Sequence, residues 1–211
     1  MTAPSRQLVH KPATISFEQA AAGALAGVTA WQMLMDVAKI GPQSNVVVNG
    51  AAGGVGHLAV QIAKAVGANV IAVARSEKHD FISGLGADRT IDYTTTVVTD
   101  EVNDADVVLE FAGGDTTIPM LKTLRGGGLL ISARKLPDIA EIREAARKLG
   151  VRATSFVAEP DYAALEQLCA LIERDALKVG VSSVVPLERA VEMLERIPQG
   201  GLVGKTVLTI D

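Results

Sequence analysis

The chain has 211 residues, of which 48% are hydrophobic and 20 are glycine, and this composition is typical of a compact globular protein. Its 24 acidic and 20 basic residues are spread along the chain and give a formal net charge of −4, which argues against nucleic acid as a partner. The single cysteine, Cys169, excludes an intrachain disulfide and a cysteine-based zinc cluster, and charge or glycine interrupts every longer apolar run. The N-terminus has no apolar signal core, so we expect a soluble, cytoplasmic protein with no membrane partner.

The first predicted element is a helix within residues 16–41, a segment rich in alanine. Two glycines interrupt its pattern, and we expect the helix to break near Gly23 or Gly27. We expect this helix to cover one face of the structure that follows.

Six short runs of β-forming residues then alternate with segments of helical pattern. Most of these runs hold consecutive apolar residues and not a strict alternation, as in a sheet that helices cover on both faces. We therefore predict an α/β fold, a Rossmann-type, doubly wound, six-stranded parallel sheet in the order 3-2-1-4-5-6. The predicted strands are residues 45–50, 69–74, 88–92, 105–112, 127–133 and 151–156.

Three helices are predicted in the second half of the chain. The first begins after an N-cap at Asp138 and ends before Gly150, and the second covers residues 161–176. In the second helix Cys169 shares the apolar face, so we interpret it as a core residue and not as a nucleophile. The third helix begins after Pro186 and leads through a glycine loop to a last strand. The predicted apolar faces are Ile142, Ala146 and Leu149 in the first helix and Leu165, Leu168, Cys169 and Ile172 in the second.

Three spaced glycines, Gly50, Gly53 and Gly56, follow the first predicted strand within the stretch NGAAGGVGHLAVQIAKAVGA, residues 49–68. Glycines at this place let the backbone turn sharply and let a pyrophosphate approach the N–H groups at a helix N-terminus. A helix and a second strand follow in the order that a dinucleotide-binding unit requires. We predict dinucleotide binding at this turn; the alternative is a purely structural turn.

The end of the second predicted strand indicates which dinucleotide binds. A site for NAD usually places a carboxylate there for the ribose 2′-hydroxyl, whereas a site for NADP offers cations to the 2′-phosphate. This sequence has Arg75, Ser76 and Lys78 at that point, and a guanidinium, a hydroxyl and an ammonium suit a phosphate dianion. We therefore predict NADPH as the cofactor; the alternative is that Arg75 and Lys78 are solvated surface charges.

The sequence offers no catalytic or metal-binding pattern, so we predict no metal and leave the catalytic residues unknown. The histidines His10, His57 and His79 are far apart and lack cysteine or acidic residues at metal-ligand spacing. For His57, in the first turn of the helix after the glycines, we predict a packing or surface role. For Glu110, at the end of a buried strand, we predict a structural hydrogen bond at the edge of the sheet; the alternative is a carboxylate with a perturbed pKa.

Three segments of the chain together resemble a known family. They are KPATISFEQAAAGALAGVTAW (residues 11–31), NGAAGGVGHLAVQIAKAVGANVIAVARSEKHDFISGLGADRTIDY (residues 49–93) and GKTVL (residues 204–208). They resemble the zinc-independent quinone oxidoreductase and enoyl reductase branch of the medium-chain dehydrogenase/reductase superfamily. The resemblance implies an NADPH-dependent oxidoreductase that transfers a hydride to a small-molecule quinone, enone or enoyl acceptor.

The resemblance also implies a set of cofactor-binding residues. For Thr29 a helix-capping hydroxyl is the alternative. Relatives often have a histidine and an arginine at the positions of Gly201 and Val203, which weakens the prediction of a contact from that loop, although Lys205 remains. The implied residues are Ala52, Gly53, Gly54 and Val55 at the pyrophosphate, Arg75, Ser76 and Lys78 at the 2′-phosphate, Tyr93 near the adenosine phosphate, and Thr29, Phe111, Ala112, Gly113, Ser132 and Ala133 on the nicotinamide side.

The resemblance further implies how the chain is organised. Relatives carry a mostly β catalytic domain before the segment that starts at residue 11, so we expect an excised cofactor-binding domain that holds NADPH without turnover. The alternative is a non-catalytic module that binds or senses NADPH. The stretch VRATSFV, residues 151–157, is predicted at an open sheet edge, where it would join two copies in a homodimer. The predicted boundaries are residues 1–15 for an N-terminal extension, 16–185 for the dinucleotide-binding domain with its leading helix, and 186–211 for a C-terminal helix and strand that return towards the catalytic domain.

Overall fold

A six-stranded parallel sheet forms the centre of the computed structural model, which describes residues 4–133, 139–197 and 201–210. Its strands hydrogen-bond in the order β3-β2-β1-β4-β5-β6, which confirms the predicted doubly wound sheet. Two further strands, β7 and β8, pair with each other in parallel as a separate sheet. The strands are β1 (Asn45–Asn49), β2 (Asn69–Val73), β3 (Arg89–Ile91), β4 (Ala105–Glu110), β5 (Leu124–Ser132), β6 (Arg152–Ser155), β7 (Val181–Pro186) and β8 (Lys205–Thr209).

Helices cover both faces of the large sheet. On one face Val46 and Val48 of β1 belong to a core that α1, α2, α3 and α7 complete, and on the other face Val47 packs in a core with α5 and α6. All three valines are fully buried, which explains why the strand reads as a continuous apolar run. The helices are α1 (Phe17–Trp31), α2 (Gly56–Ala65), α3 (His79–Gly84), α4 (Val98–Glu101), α5 (Thr117–Met120), α6 (Ile139–Lys148), α7 (Tyr162–Glu173) and α8 (Ala190–Arg196).

The leading helix differs from its prediction. Helix α1 begins at a capping box formed by Ser16 and Gln19, runs without a break to Trp31, and continues as a π-helical segment to Val37. The predicted break near Gly23 or Gly27 is therefore wrong. These glycines serve close packing, because an added Cβ would lie 3.0 Å from Val179 Cγ2 at position 23 and 2.8 Å from Leu168 Cδ1 at position 27.

The later helices confirm most of the predicted pattern. Helix α6 buries Ile142 and Ala146 and ends before Gly150, whose φ is +70°. The prediction for Leu149 is wrong, because this side chain follows the last residue of the helix and is exposed. The predicted N-cap at Asp138 lies outside the described residues. Among the described residues no helix is both long and apolar enough to cross a membrane.

Cys169 of α7 lies at the edge of the core and is half-buried. Burial raises the pKa of its thiol, and the neighbouring carboxylates of Glu173 and Glu166 raise it further. The group is therefore a protonated thiol at neutral pH, which agrees with a packing role and not with a nucleophile.

Candidate cofactor site

The glycine turn joins β1 to α2 in a tight backbone arrangement. Gly50 has a φ of +84°, a conformation that favours glycine, and its carbonyl oxygen accepts a hydrogen bond from the Gly53 N–H at 3.0 Å. Helix α2 begins at Gly56, where a Cβ would lie 2.3 Å from the same carbonyl oxygen. The turn therefore requires the spaced glycines, and it directs the N-terminus of α2 towards the carboxyl ends of the strands.

A cavity of about 720 Å³ opens beside this turn. Its described lining contains three cationic side chains and no Asp or Glu, although the whole chain carries a net charge of −4. A cavity of this size with cations and helix N-terminal amides is suited to a phosphorylated ligand. The lining residues are Asn49, Gly50, Ala52, Gly53, Gly54, Val55, Gly56, Val73, Ala74, Arg75, Lys78, Tyr93, Val98, Phe111, Ala112, Thr116, Met120, Ala133, Ile197, Leu202 and Lys205.

The end of β2 forms a cationic corner of the cavity. The Arg75 Nε donates a hydrogen bond to the Tyr93 hydroxyl at 3.0 Å, and this bond raises the pKa of the guanidinium. The Lys78 ammonium donates to the Leu202 carbonyl oxygen at 3.3 Å. Because both partners are neutral, neither bond cancels the positive charge. Ser76 does not line the cavity, and its backbone N–H donates to the Asp92 carboxylate at 3.0 Å.

The ends of β4 and β5 form the opposite side of the cavity. Phe111, Ala112 and Ala133 line it, as the resemblance implies, whereas Gly113 and the fully buried Ser132 do not. The structure therefore brings ten of the fourteen implied residues to one cavity and leaves out Thr29, Ser76, Gly113 and Ser132.

Thr29 lies inside α1. Its hydroxyl donates to the Leu25 carbonyl oxygen at 2.7 Å, and 8% of the residue is exposed. The hydroxyl is thus bonded within its own helix, four residues back, and is not directed at the cavity.

Glu110 fixes the loop that follows β4. Its buried carboxylate accepts hydrogen bonds from the Asn49 side chain and from the backbone N–H groups of Ala112 and Gly113, each at 2.8 Å. This confirms the predicted structural hydrogen bond. Asn49 also lines the cavity and was not among the residues predicted from the sequence, although a polar side chain at the end of an apolar strand was an available signal.

The C-terminal part of the chain supplies a further wall, formed by Ile197, Leu202 and Lys205. The Gly204 N–H donates to the Ala52 carbonyl oxygen at 2.9 Å, which holds this wall against the glycine turn. The Lys205 side chain lies over Gly54, where a Cβ would be 2.4 Å from Lys205 Cδ. The GK dipeptide at the start of the last strand was the signal for this contact.

His57 has the predicted packing role. The residue is fully buried, and its ring contacts Phe81 with the centroids 6.4 Å apart. His79 Nε2 lies 3.1 Å from the Ala74 carbonyl oxygen, and the described residues contain no group of His, Cys, Asp and Glu that could hold a metal ion.

Comparison with known proteins agrees with this geometry. The family described as zinc-binding dehydrogenase matches residues 85–208. The chloroplastic quinone-oxidoreductase homolog of Spinacia oleracea is 30% identical over 95% of this chain and 64% of that protein. The quinone oxidoreductase of Coxiella burnetii superposes with a TM-score of 0.89 and 30% identity over 96% of this chain and 64% of that one. The Escherichia coli quinone oxidoreductase, solved in complex with NADPH, gives a TM-score of 0.83 and 26% identity over 96% of this chain and 68% of that one.

Proposed function

This chain belongs to the medium-chain dehydrogenase/reductase superfamily, of which it covers the cofactor-binding region, and we propose that it binds NADPH for hydride transfer to a quinone, enone or enoyl acceptor. The observation that carries the proposal is the charge of the cavity. Arg75, Lys78 and Lys205 line it without any Asp or Glu among the described lining residues. The chain spans 64% of the length of the Spinacia protein and 64% of the Coxiella protein. The hydride transfer that such a whole protein would perform is therefore proposed here together with the binding.

The preference for NADPH over NADH rests on the cationic corner at the end of β2. A carboxylate at this place would accept a hydrogen bond from the ribose 2′-hydroxyl of NADH and would repel a 2′-phosphate. Here Arg75 and Lys78 offer a planar guanidinium and an ammonium, and Tyr93 holds the guanidinium at the edge of the cavity. These groups complement a phosphate dianion.

The residues on the other side of the cavity orient the reactive end of the cofactor. When bound, the dihydronicotinamide supplies the hydride and its electron pair. Phe111, Ala112 and Ala133 form an apolar surface there, and Glu110 fixes the loop that carries two of them. The proton that a reduced acceptor takes up comes from water or from a group outside the described lining.

Calorimetric titration of the 211-residue chain with NADPH and NADH tests the proposal. We expect tighter binding of NADPH, and a melting temperature that rises with the logarithm of its excess over the dissociation constant. We expect negligible NADPH oxidation with simple quinones or enones, because hydride transfer needs the acceptor held against the nicotinamide and shielded from water. Equal affinities would contradict the cofactor preference, and the absence of binding would overturn the proposal.

We also propose that the chain forms a homodimer through β6. Among the described strands, β6 pairs only with β5, so its other edge offers unpaired backbone groups. Val157, which follows β6, is 85% exposed. We expect light scattering to show a dimer and Val157→Lys to shift it towards monomer, because a charge at an edge opposes strand pairing. A wild-type monomer at high micromolar concentration would contradict this proposal.

A further inference from the structure

His57 bridges two parts of the chain that are distant in sequence. Its Nδ1 lies 2.9 Å from the carbonyl oxygen of Gly53, in the glycine turn, and its Nε2 accepts a hydrogen bond from the Gly180 N–H at 3.1 Å, just before β7. Because a backbone N–H can only donate, Nε2 must carry the lone pair and Nδ1 the proton. The contacts therefore define one neutral tautomer of the ring.

The bridge is part of a closed ring of hydrogen bonds. The Gly180 carbonyl oxygen accepts from the Lys205 N–H at 2.9 Å, and the adjacent Gly204 N–H donates to Ala52 at 2.9 Å. The ring thus returns to the glycine turn from which it started. Gly180 and Gly204 also approach closely, since a Cβ at Gly204 would lie 2.3 Å from the Gly180 carbonyl oxygen. Through this ring His57 links the turn to the backbone that places Lys205 in the cavity.

We propose that His57, as the neutral Nδ1–H tautomer, is a positioning residue that holds the glycine turn and the Lys205 backbone in the geometry that the pyrophosphate of the dinucleotide requires. The inference rests on the proposed function, and it adds a buried residue that does not line the cavity. Protonation of Nε2 would place two donors face to face at Gly180 and break the bridge.

The surroundings of the His57 imidazole favour its neutral form. Burial lowers the pKa of His57, the hydrogen bond to Gly53 raises it, and the positive charge of Lys205 on β8 lowers it. From α3 the ring meets the uncharged Phe81, and from the segment before β7 it meets the Gly180 backbone. Because the pKa of His57 in the folded state is below its ordinary value of 6.5, the ring is neutral and the bridge is intact at pH 7. The bridge is lost only as the pH falls below 6.5 towards the pKa of the folded state.

Gln61 provides a matched control. It lies one turn further along α2, is also buried, and bridges to the same segment, with its Oε1 2.7 Å from the Lys178 N–H and its Nε2 2.9 Å from the Lys178 carbonyl oxygen. Its Nε2 also donates to the His57 backbone carbonyl oxygen at 2.9 Å, within α2, but Gln61 does not line the cavity. Gln61→Leu and His57→Leu therefore each remove a buried bridge and leave one backbone N–H without its partner, but only the second removes a side-chain hydrogen bond to the glycine turn. The backbone N–H of residue 57, which lies 3.1 Å from the Gly53 carbonyl oxygen, keeps the turn attached to α2 in both variants.

The experiment measures the dissociation constants of NADPH and ADP-ribose together with the stability of each variant. ADP-ribose contains the pyrophosphate and lacks the 2′-phosphate, whose own second pKa near 6 would complicate a pH profile. We expect His57→Leu to weaken the binding of both ligands about tenfold. We expect Gln61→Leu to lower the melting temperature with little change in either dissociation constant. His57→Gln should keep the affinity, because its amide can both donate and accept.

The pH profile supplies a readout that a merely structural role would not change. Wild-type affinity for ADP-ribose should fall below pH 6.5, and the His57→Gln profile should be flat over the same range. A through-space effect of the imidazolium would strengthen binding of the anion in acid, which is the opposite sign.

Three outcomes would overturn the inference and leave the proposed function standing. They are identical pH profiles for wild type and His57→Gln, an affinity that rises in acid, and equal affinity losses in His57→Leu and Gln61→Leu. Absence of dinucleotide binding by the wild-type chain would overturn the proposed function as well. If His57→Leu does not fold, the His57→Gln profile decides.

Discussion

The cofactor cavity has two walls that the chain builds in different ways. The glycine wall, residues 50–56, is a local turn whose backbone is closely packed and which leads directly from a buried strand into a buried helix. The C-terminal wall is formed by Ile197, which follows α8, by Leu202, and by Lys205, the first residue of β8. Backbone hydrogen bonds such as that from the Gly204 N–H to the Ala52 carbonyl oxygen hold it in place. The first wall forms from neighbouring residues, and the second depends on the path of the whole chain.

The difference extends to the helices that carry the walls. Helix α2 has its residues from Gly56 to Ala63 buried, whereas in and after α8 Val191 is 67%, Leu194 64% and Ile197 61% exposed. A substitution in the glycine wall therefore disturbs the core, and one in the C-terminal wall changes ligand contacts with less effect on the fold.

Breaking the glycine wall gives the largest expected effect. In Gly56→Ala the new Cβ would lie 2.3 Å from the Gly50 carbonyl oxygen and 2.9 Å from Ala51 Cα, which are backbone atoms and cannot rotate away. We expect the free energy of unfolding to fall by about 3 kcal/mol, and NADPH binding to be lost. Chemical denaturation and calorimetry measure these losses. Gly84→Ala is the control because nothing lies within 4 Å of its added Cβ, and equal losses in both variants would contradict the close packing of the turn.

Removing the cationic corner should affect the binding of NADPH and not that of NADH. In the double variant Arg75→Ala/Lys78→Ala we expect NADPH affinity to fall at least about tenfold, because two charge-assisted contacts to the 2′-phosphate are lost. NADH lacks that phosphate and should bind as before. The control, Lys122→Ala/Arg174→Ala, removes the same charge from exposed positions outside the cavity. Calorimetry that found equal losses for both cofactors would assign these residues to a shared part of the ligand or to folding.

The C-terminal wall should show a smaller effect that does not distinguish the cofactors. Lys205→Ala is expected to lower the affinity for NADPH and for NADH alike by roughly threefold to tenfold, because both cofactors contain the pyrophosphate near the turn. Lys205→Arg retains the charge and should retain most of the affinity. A loss confined to NADPH would instead place the ammonium of Lys205 at the 2′-phosphate, together with Arg75 and Lys78.

The smallest expected effect concerns the exposed carboxylate beneath the cationic corner. Hydrogen bonds from Thr94, and then from Ser76, hold the pKa of Asp92 well below its ordinary value of 3.8. A lowered pKa in the folded state contributes stability that is present above pH 3.8 and is lost as the pH falls further. Asp92→Asn should therefore melt slightly below wild type at pH 7, and the two melting curves should converge in acid. A constant difference at every pH would show that the hydrogen-bond geometry matters and the charge does not.

Local patterns predicted the parts of the fold that depend on neighbouring residues. Consecutive apolar residues marked most strands of the large sheet, although β3 and β6 lack such a run. The predicted β4 was too long because the Glu110 carboxylate binds the N–H groups of Ala112 and Gly113 and turns the chain away. The predicted helix break failed because a glycine pattern does not distinguish flexibility from close packing. Val179 and Leu168 lie against Gly23 and Gly27 and leave no room for a larger side chain there. The periodicity of α1 carries no information about those partners.

The sequence by itself determined the order of strands and helices, the sharp glycine turn and the positive charge at the end of β2, because each depends on residues that are adjacent or one turn apart. Only the tertiary structure decided that Lys205 meets Gly54, that His57 joins Gly53 to Gly180, and that Thr29 remains inside its own helix. These contacts follow from how the elements pack across the sheet, and that packing is a property of the whole chain that no single segment encodes.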